Sequence, residues 1–203
     1  IRLGSDASPD PVIVHAFTDG RDTLPKNGAG YLAQVEEACA KAGNASIGTV
    51  VGRYYGMDRD KRWDRVQKAA DLLLHGSGEF TAAAAAEAAE AAYGRDETDE
   101  FILPTVIGDY SGFEPGDSVI CFNFRPDRMR EIVQALADPD FADVDRGAAE
   151  HVRNLCTMTE YVESWSFPIA FPPHHPEATL PSVIAAHGLG QLHVAETEKY
   201  PHV

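Results

Sequence analysis

Cysteine is scarce: the 203 residues hold three, Cys39, Cys121 and Cys156. The count is odd, the spacings are long and no CxxC occurs, which excludes a zinc knuckle and a disulfide framework. Three scattered thiols fit a reducing cytoplasm. Basic residues are also few, 17 against 32 acidic, for a net charge of −15. A chain this acidic is repelled by nucleic acid and by anionic membrane, so neither is expected as a partner. Long hydrophobic runs are missing too. The alanine run Ala82–Ala86 is far too short to span a bilayer. The opening Ile1-Arg2-Leu3-Gly4-Ser5-Asp6 has no charged segment followed by an apolar one, so no signal peptide is expected. There is no internal repeat, no P-loop and no GxSxG. The eight histidines include the pair His174-His175, but none shows HxxxH or HxxEH spacing, and metal binding by this chain is not expected.

What is present is a soluble, globular composition. Hydrophobic residues make up 44% and charged residues 24%, enough for one substantial core or two small ones. The basic residues are concentrated. The stretch Arg53–Lys68 carries six of the 17, whereas Glu79–Asp117 carries ten acids against the single base Arg95. An acidic chain that gathers its arginines either places them for a small anion or lays out a salt-bridged helix face.

Apolar spacing predicts strands alternating with helices. Val12–Phe17 and Ser46–Val51 read as buried strands, Ser118–Phe124 as a central strand, and Leu155–Thr159 and Gln191–Ala195 as further strands. Tyr31, Val35, Ala38 and Ala42 fall at helical spacing before a stop at Gly43. Asp58 is the expected cap of a helix carrying Trp63, Val66, Ala70 and Leu73 and ending near Gly76. Ala82–Tyr93 is predicted to be a solvated surface helix without a site. Pro126 suits a first helical position before Met129, Ile132, Val133 and Leu136, and a short helix is expected near Ser182–Ala186, stopping at Gly188. Ser164–Pro176 reads as an ordered loop. The alternation predicts a layered α/β/α domain with a mostly parallel or mixed central sheet.

Four segments carry chemistry, each where a predicted strand ends, the usual site face of an α/β sheet. The first is Asp19-Gly20-Arg21-Asp22-Thr23, where a guanidinium fork suits a carboxylate or phosphate and an adjacent carboxylate suits a hydroxyl. A surface turn with a local ion pair is the alternative. The second runs from Gly52 to Trp63. Arg53 follows a strand directly and Arg59 is expected in the first turn of the next helix, while Arg62 and Arg65 either join the site or pair with Asp58, Asp60 and Asp64. The third, Asn123–Arg128, sets Arg125 and Arg128 at a helix N-terminus, where the macrodipole disfavours cations unless an anion or a partner such as Asp127 or Glu131 offsets them. The fourth, Glu196–His202, offers Lys199 as a flexible point charge.

The strings HAFTDGRDTLP at His15–Pro25, GRYYGMDRDKRWDRV at Gly52–Val66, FNFRPDR at Phe122–Arg128 and AETEKYPHV at Ala195–Val203 together resemble the cofactor-independent phosphoglycerate mutases of glycolysis. The resemblance runs from about residue 12 to the end and is looser over Thr81–Asp117 and His151–Pro176. It implies a cytoplasmic isomerase of two domains. A phosphatase-like domain bears a serine nucleophile and two divalent cations, often manganese. A phosphotransferase domain holds the glycerate while phosphate moves from 3-phosphoglycerate to the serine and back to give 2-phosphoglycerate.

By that resemblance, residues 1–203 are one phosphotransferase domain truncated at both ends, with the metal-bearing domain as its missing partner. Arg21 and Asp22 hold the glycerate, and Asp22 contacts its hydroxyls and aids proton transfer. Arg53 takes the carboxylate, Arg59, Arg125 and Arg128 take phosphate, and Lys199 reaches toward phosphate and seryl oxygen. The family's serine, its metal ligands and a histidine-bearing segment ahead of the first strand have no counterpart here. Thr18 and Leu24 stand where leucine and proline are expected. The chain alone is therefore expected to bind substrate without turning it over. A non-catalytic anion-binding module on the same scaffold is the alternative, for which Asp22 and Lys199 are dispensable.

Overall fold

The computed structural model describes residues 11–174 and 176–196. The chain divides into two compact units, residues 1–171 and 172–203. In the larger unit a seven-residue strand β1 (Val12–Thr18) leads through helix α1 (Gly28–Ala42) to β2 (Ala45–Gly52). A single helical turn α2 (Arg53–Gly56) and helix α3 (Trp63–His75) follow, then β3 (Phe80–Ala82), α4 (Ala85–Gly94), a 3-10 turn at Asp99–Phe101 and β4 (Thr105–Ile107). Strand β5 (Ser118–Cys121), helix α5 (Pro126–Ala137) and strand β6 (Asn154–Thr157) complete it. The smaller unit contains helix α6 (Leu180–Ala186), begun by a capping box in which the Thr179 and Ser182 side chains each bond the other's backbone N–H.

The main sheet has the order β1-β2-β4-β3. β1 lies parallel to β2, β2 antiparallel to β4, and β4 parallel to β3, so the sheet is mixed. Ile47 through Gly52 are all buried, the mark of a strand covered on both faces. Val50 packs with Leu32, Ala88, Ala89 and Ile102 on the side of α1 and α4, and its neighbour Val51 packs with Leu72 of α3 on the other. Helices on both faces make the predicted α/β/α layering. A second cluster joins Val66, Ala70 and Leu73 of α3 to Ile132, Val133 and Leu136 of α5 and to Leu155 and Tyr161.

Several expectations need correction. The predicted central strand Ser118–Phe124 ends at Cys121 and pairs with β6 in a separate two-stranded sheet, because the Asn123 and Phe124 carbonyls accept from the Tyr161 and Thr159 hydroxyls in place of a ladder, and Phe122 and Phe124 are both exposed. Residues 191–195 form no strand, since nothing among the described residues pairs with them. The alanine-rich helix is not merely solvated: Ala85, Ala88, Ala89 and Ala92 are buried, and small side chains let α4 lie close against α1. Three-residue strands β3 and β4 were not foreseen. Gly43, with φ 85°, ends α1 in the left-handed region that glycine adopts without strain. Within the string HAFTDGRDTLP, His15 is structural. Its Nδ1 lies 2.9 Å from the Thr49 hydroxyl, its ring packs edge-on against Tyr110 and Phe113, and burial pushes it down to about 4.

Candidate anion-binding site

The carboxyl ends of β1, β2 and β5 open into three loops, and these bring together most of the arginines singled out above. Arg53 is the first residue of α2, directly after β2, and only 5% of its side chain is exposed. Its Nη1 donates to the carboxylates of Asp19 and Asp22, the latter at 3.1 Å. Asp22 also lies 3.7 Å from Nη1 of Arg125, so one carboxylate bridges guanidinium groups from two loops. Asp127 has the same role. Its Oδ2 accepts from Nη1 of Arg59 at 2.8 Å and from Nη2 of Arg125 at 3.2 Å. Arg128 donates through Nη1 to the Met57 carbonyl at 3.0 Å. Its buried Nε has no hydrogen-bond partner among the described residues.

Charge follows from this geometry. Four guanidinium groups (Arg53, Arg59, Arg125, Arg128) meet three carboxylates (Asp19, Asp22, Asp127). Burial pushes the Arg128 guanidinium below its ordinary value, and the nearby Arg59 and Arg53 push it further. Burial pushes the Asp19 carboxyl up, but the Arg53 guanidinium and the backbone N–H groups of Arg21 and Asp22 outweigh it and hold it low. At Asp127, burial is likewise overcome by Arg125 and Arg59. A largely buried guanidinium whose Nε has, among the described residues, only Asp127 opposite it, at 4.0 Å, can take an anion there.

A cleft of about 170 Å³ opens beside this cluster, lined by the cations Arg21, Arg53, Arg65 and Arg128, by the carboxylates Asp58, Asp60 and Glu100, and by apolar atoms of Tyr54, Met57 and Phe101. Arg59, Arg125 and Asp127 do not line it; Asp127 lies 4.0 Å from Nε of Arg128, which does. Arg21 is largely exposed and lies 3.8 Å from Glu100. Arg59 is not in the first turn of a helix as expected. It sits in the loop before α3, because Asp58 caps that loop instead, its Oδ2 accepting from the backbone N–H groups of Asp60 and Arg62. Arg65 belongs to the ion pair with Asp58, at 3.2 Å, and stacks over the Tyr54 ring. Lys199 lies outside the described residues.

Residue types alone did not point to the bracing beneath these loops. The Thr18 hydroxyl donates to the Asp99 carbonyl at 2.6 Å, and Gly52 N–H donates to the Ile102 carbonyl at 2.8 Å. A Cβ on Gly52 would collide with the Glu100 carbonyl and come within 2.7 Å of Ile102 N, so only glycine lets the 3-10 turn approach the base of Arg53. The Asp99 carboxylate, 1% exposed, accepts from the N–H groups of Asn27 and Gly28 at 2.9 and 2.7 Å and from the Tyr93 hydroxyl. It thereby caps α1 from 71 residues away. Burial, and then that bond, push the Tyr93 hydroxyl up to about 12.

Residues 1–163 match the family model described as the N-terminus of BPG-independent PGAM. The chain belongs to the 2,3-bisphosphoglycerate-independent phosphoglycerate mutase family. The mutase of that name from Haloarcula marismortui is 45% identical over all of this chain, and that from Cereibacter sphaeroides is 50% identical over 97% of it. A crystal structure of Leishmania mexicana phosphoglycerate mutase at low cobalt concentration superposes with a TM-score of 0.82 and 27% identity over 99% of the chain. The chain spans about 39% of the length of each of these mutases. Among the described residues no group of His, Cys, Asp and Glu is placed to hold a metal ion. No helix among the described residues is long and apolar enough to cross a membrane.

Proposed function

We propose that residues 1–203 are the substrate-binding domain of a phosphoglycerate mutase that interconverts 3-phosphoglycerate and 2-phosphoglycerate in the cytoplasm. The observation that carries this reading is the convergence of Arg53, Arg59, Arg125 and Arg128 from the segments after β2 and β5, with the Nε of Arg128 left without a hydrogen bond among the described residues. A phosphorylated three-carbon acid supplies two anionic ends and a hydroxyl between them. In this reading Arg53, whose Nη1 is already committed to two aspartates, presents the rest of its fork to the carboxylate. Arg59, Arg125 and Arg128 meet the phosphate. Arg21 and Asp22 hold the glycerate, with Asp22 accepting from its hydroxyls and relaying the proton exchanged as one oxygen loses phosphate and the other gains it. Lys199, outside the described residues, is assigned to the phosphate by the family resemblance alone.

The phosphoryl group passes to a serine on a second, phosphatase-like domain of the longer protein, where two divalent cations, manganese in this reading, act. It then returns to the 2-oxygen of the same glycerate. Trapping the acceptor between the two transfers is the contribution of this domain, since it keeps the second step intramolecular. The chain by itself lacks the nucleophile and so is expected to yield no 2-phosphoglycerate from 3-phosphoglycerate in a coupled assay with enolase. Turnover by the purified 203-residue chain overturns the division of labour.

A further inference from the structure

Glu131 lies on α5 one turn beyond Asp127 and Arg128, yet it pairs with no arginine of the site. Its side chain is buried, with the residue 7% exposed. Oε1 accepts the Lys61 backbone N–H at 2.9 Å. Oε2 is buried and meets no donor among the described residues. Another buried carboxyl group, Asp58, serves the same turn: its Oδ2 accepts the N–H groups of Asp60 and Arg62, on either side of the Lys61 N–H that Glu131 holds. Two buried carboxylates in contact repel, and an unserved buried oxygen is costly, unless one carries a proton and donates it to the other. Asp58 already accepts three bonds, from Asp60 N–H, Arg62 N–H and Nη1 of Arg65, while Glu131 accepts one. The shared proton therefore sits on Glu131.

We propose that Glu131 is a positioning residue, a protonated carboxyl that clamps the loop of residues 57–62 to α5 by donating to Asp58 and accepting from Lys61 N–H. The clamp joins the element that supplies Arg59 and the Met57 carbonyl to the element that supplies Arg125 and Arg128. It thus sets the spacing of the phosphate-binding arginines from outside the cleft. This role rests on the substrate-binding reading above, but the clamp itself does not.

The charged groups facing Glu131 are Asp58 and Asp60 of the loop, with Arg65 of α3 drawn to Asp58 and the Lys61 contact made by backbone. Burial, followed by those two aspartates, raises the Glu131 carboxyl to about 7 despite the Lys61 N–H. A carboxyl raised in the folded state contributes stability that is complete below its unfolded value, near 4.5, and is lost as pH rises toward 7. The bond from Glu131 to Asp58 is therefore held at pH 6 and lost at pH 8, where Arg59–Asp127 and Arg128–Met57 still join the loop to α5 but do not fix Lys61.

The test pairs two readouts in the native chain, Glu131→Gln and Glu131→Ala. Glutamine keeps a donor toward Asp58 and an acceptor for Lys61 at every pH. Between pH 6 and pH 8 the native chain is expected to lose up to about tenfold in affinity for 3-phosphoglycerate beyond any loss shown by Glu131→Gln, because about one molecule in ten keeps the bond from Glu131 to Asp58. Phosphate ionisation affects both proteins equally and cancels. Glu131→Ala is expected to bind weakly at both pH values. In parallel, hydrogen exchange at the Lys61 amide should quicken about tenfold between these pH values in the native chain, after correction for intrinsic exchange, and hold in Glu131→Gln. Parallel behaviour of the native chain and Glu131→Gln in both readouts overturns the proposal. If none of the proteins binds 3-phosphoglycerate, the functional reading fails, and the Lys61 amide still decides for or against the clamp.

Discussion

Replacing Arg53 by alanine is expected to weaken 3-phosphoglycerate binding on the order of 10- to 100-fold, the usual worth of hydrogen bonds to a charged group. Arg53 is the most buried cation of the site, and its Nη1 holds both Asp19 and Asp22. Alanine removes the cation assigned to the substrate carboxylate. It also frees Asp22 to follow Arg125 alone and leaves Asp19 beside the cleft as an uncompensated negative charge. The loss is therefore larger than one missing contact. Arg53→Lys separates charge from shape. A single ammonium group cannot hold both aspartates and also present a planar fork to a carboxylate, so most of the affinity should be lost here too. Circular dichroism checks that each variant is folded, and Asp19 and Asp22 are exposed enough to recover water when their partner goes. Unchanged affinity in Arg53→Ala would remove Arg53 from the site.

The second large effect is on stability. Asp99→Ala is expected to cost about 3 kcal/mol, since it takes the acceptor from the buried N–H of Gly28 and from the part-buried Asn27 N–H and Tyr93 hydroxyl at once. For a chain of this size that lowers the melting temperature by roughly 6–12 °C. Affinity should fall as well, because the Asp99 carbonyl anchors Thr18 at the base of the loop bearing Arg21 and Asp22. Asp99→Asn keeps one oxygen for Asn27 and Gly28 and turns an amide toward Tyr93. It should recover more than half of the loss in thermal melts. An alanine variant that melts like the native chain would show that α1 needs no such cap.

Much of this was legible in the sequence because it depends on neighbours along the chain. Gly43 ends α1, Pro126 opens α5, and an apolar stripe buries α3 against α5. Arg53 follows directly on a strand of six consecutive buried residues, so its place at the carboxyl end of the sheet could be read from the pattern. What escaped depends on distant partners or on segments too short to show a period. β3 and β4 have three residues each, and three residues cannot display alternation. Asp99 acts across 71 residues on Gly28, in the stretch where the family resemblance is loosest.

The expected helix start at Asp58 was a near miss with a physical cause. An aspartate accepts from the N–H groups of a turn as readily as from those of a helix, and here it caps a loop. That difference moves Arg59 off the helix and onto Asp127, which turns a helix-terminus anion site into a network bridging two loops. Asp127 stood in the sequence only as a neutraliser of the arginines beside it. In the fold it also sets the distance between Arg59 and Arg125.

The central claim is that these loops form a substrate half-site before any second domain is present. Calorimetric titration of the 203-residue chain with 3-phosphoglycerate, at low and at moderate salt, tests it most directly. The account predicts saturable binding that weakens as salt screens the guanidinium groups. A chain that is folded by circular dichroism and takes up no 3-phosphoglycerate at either salt concentration would contradict it.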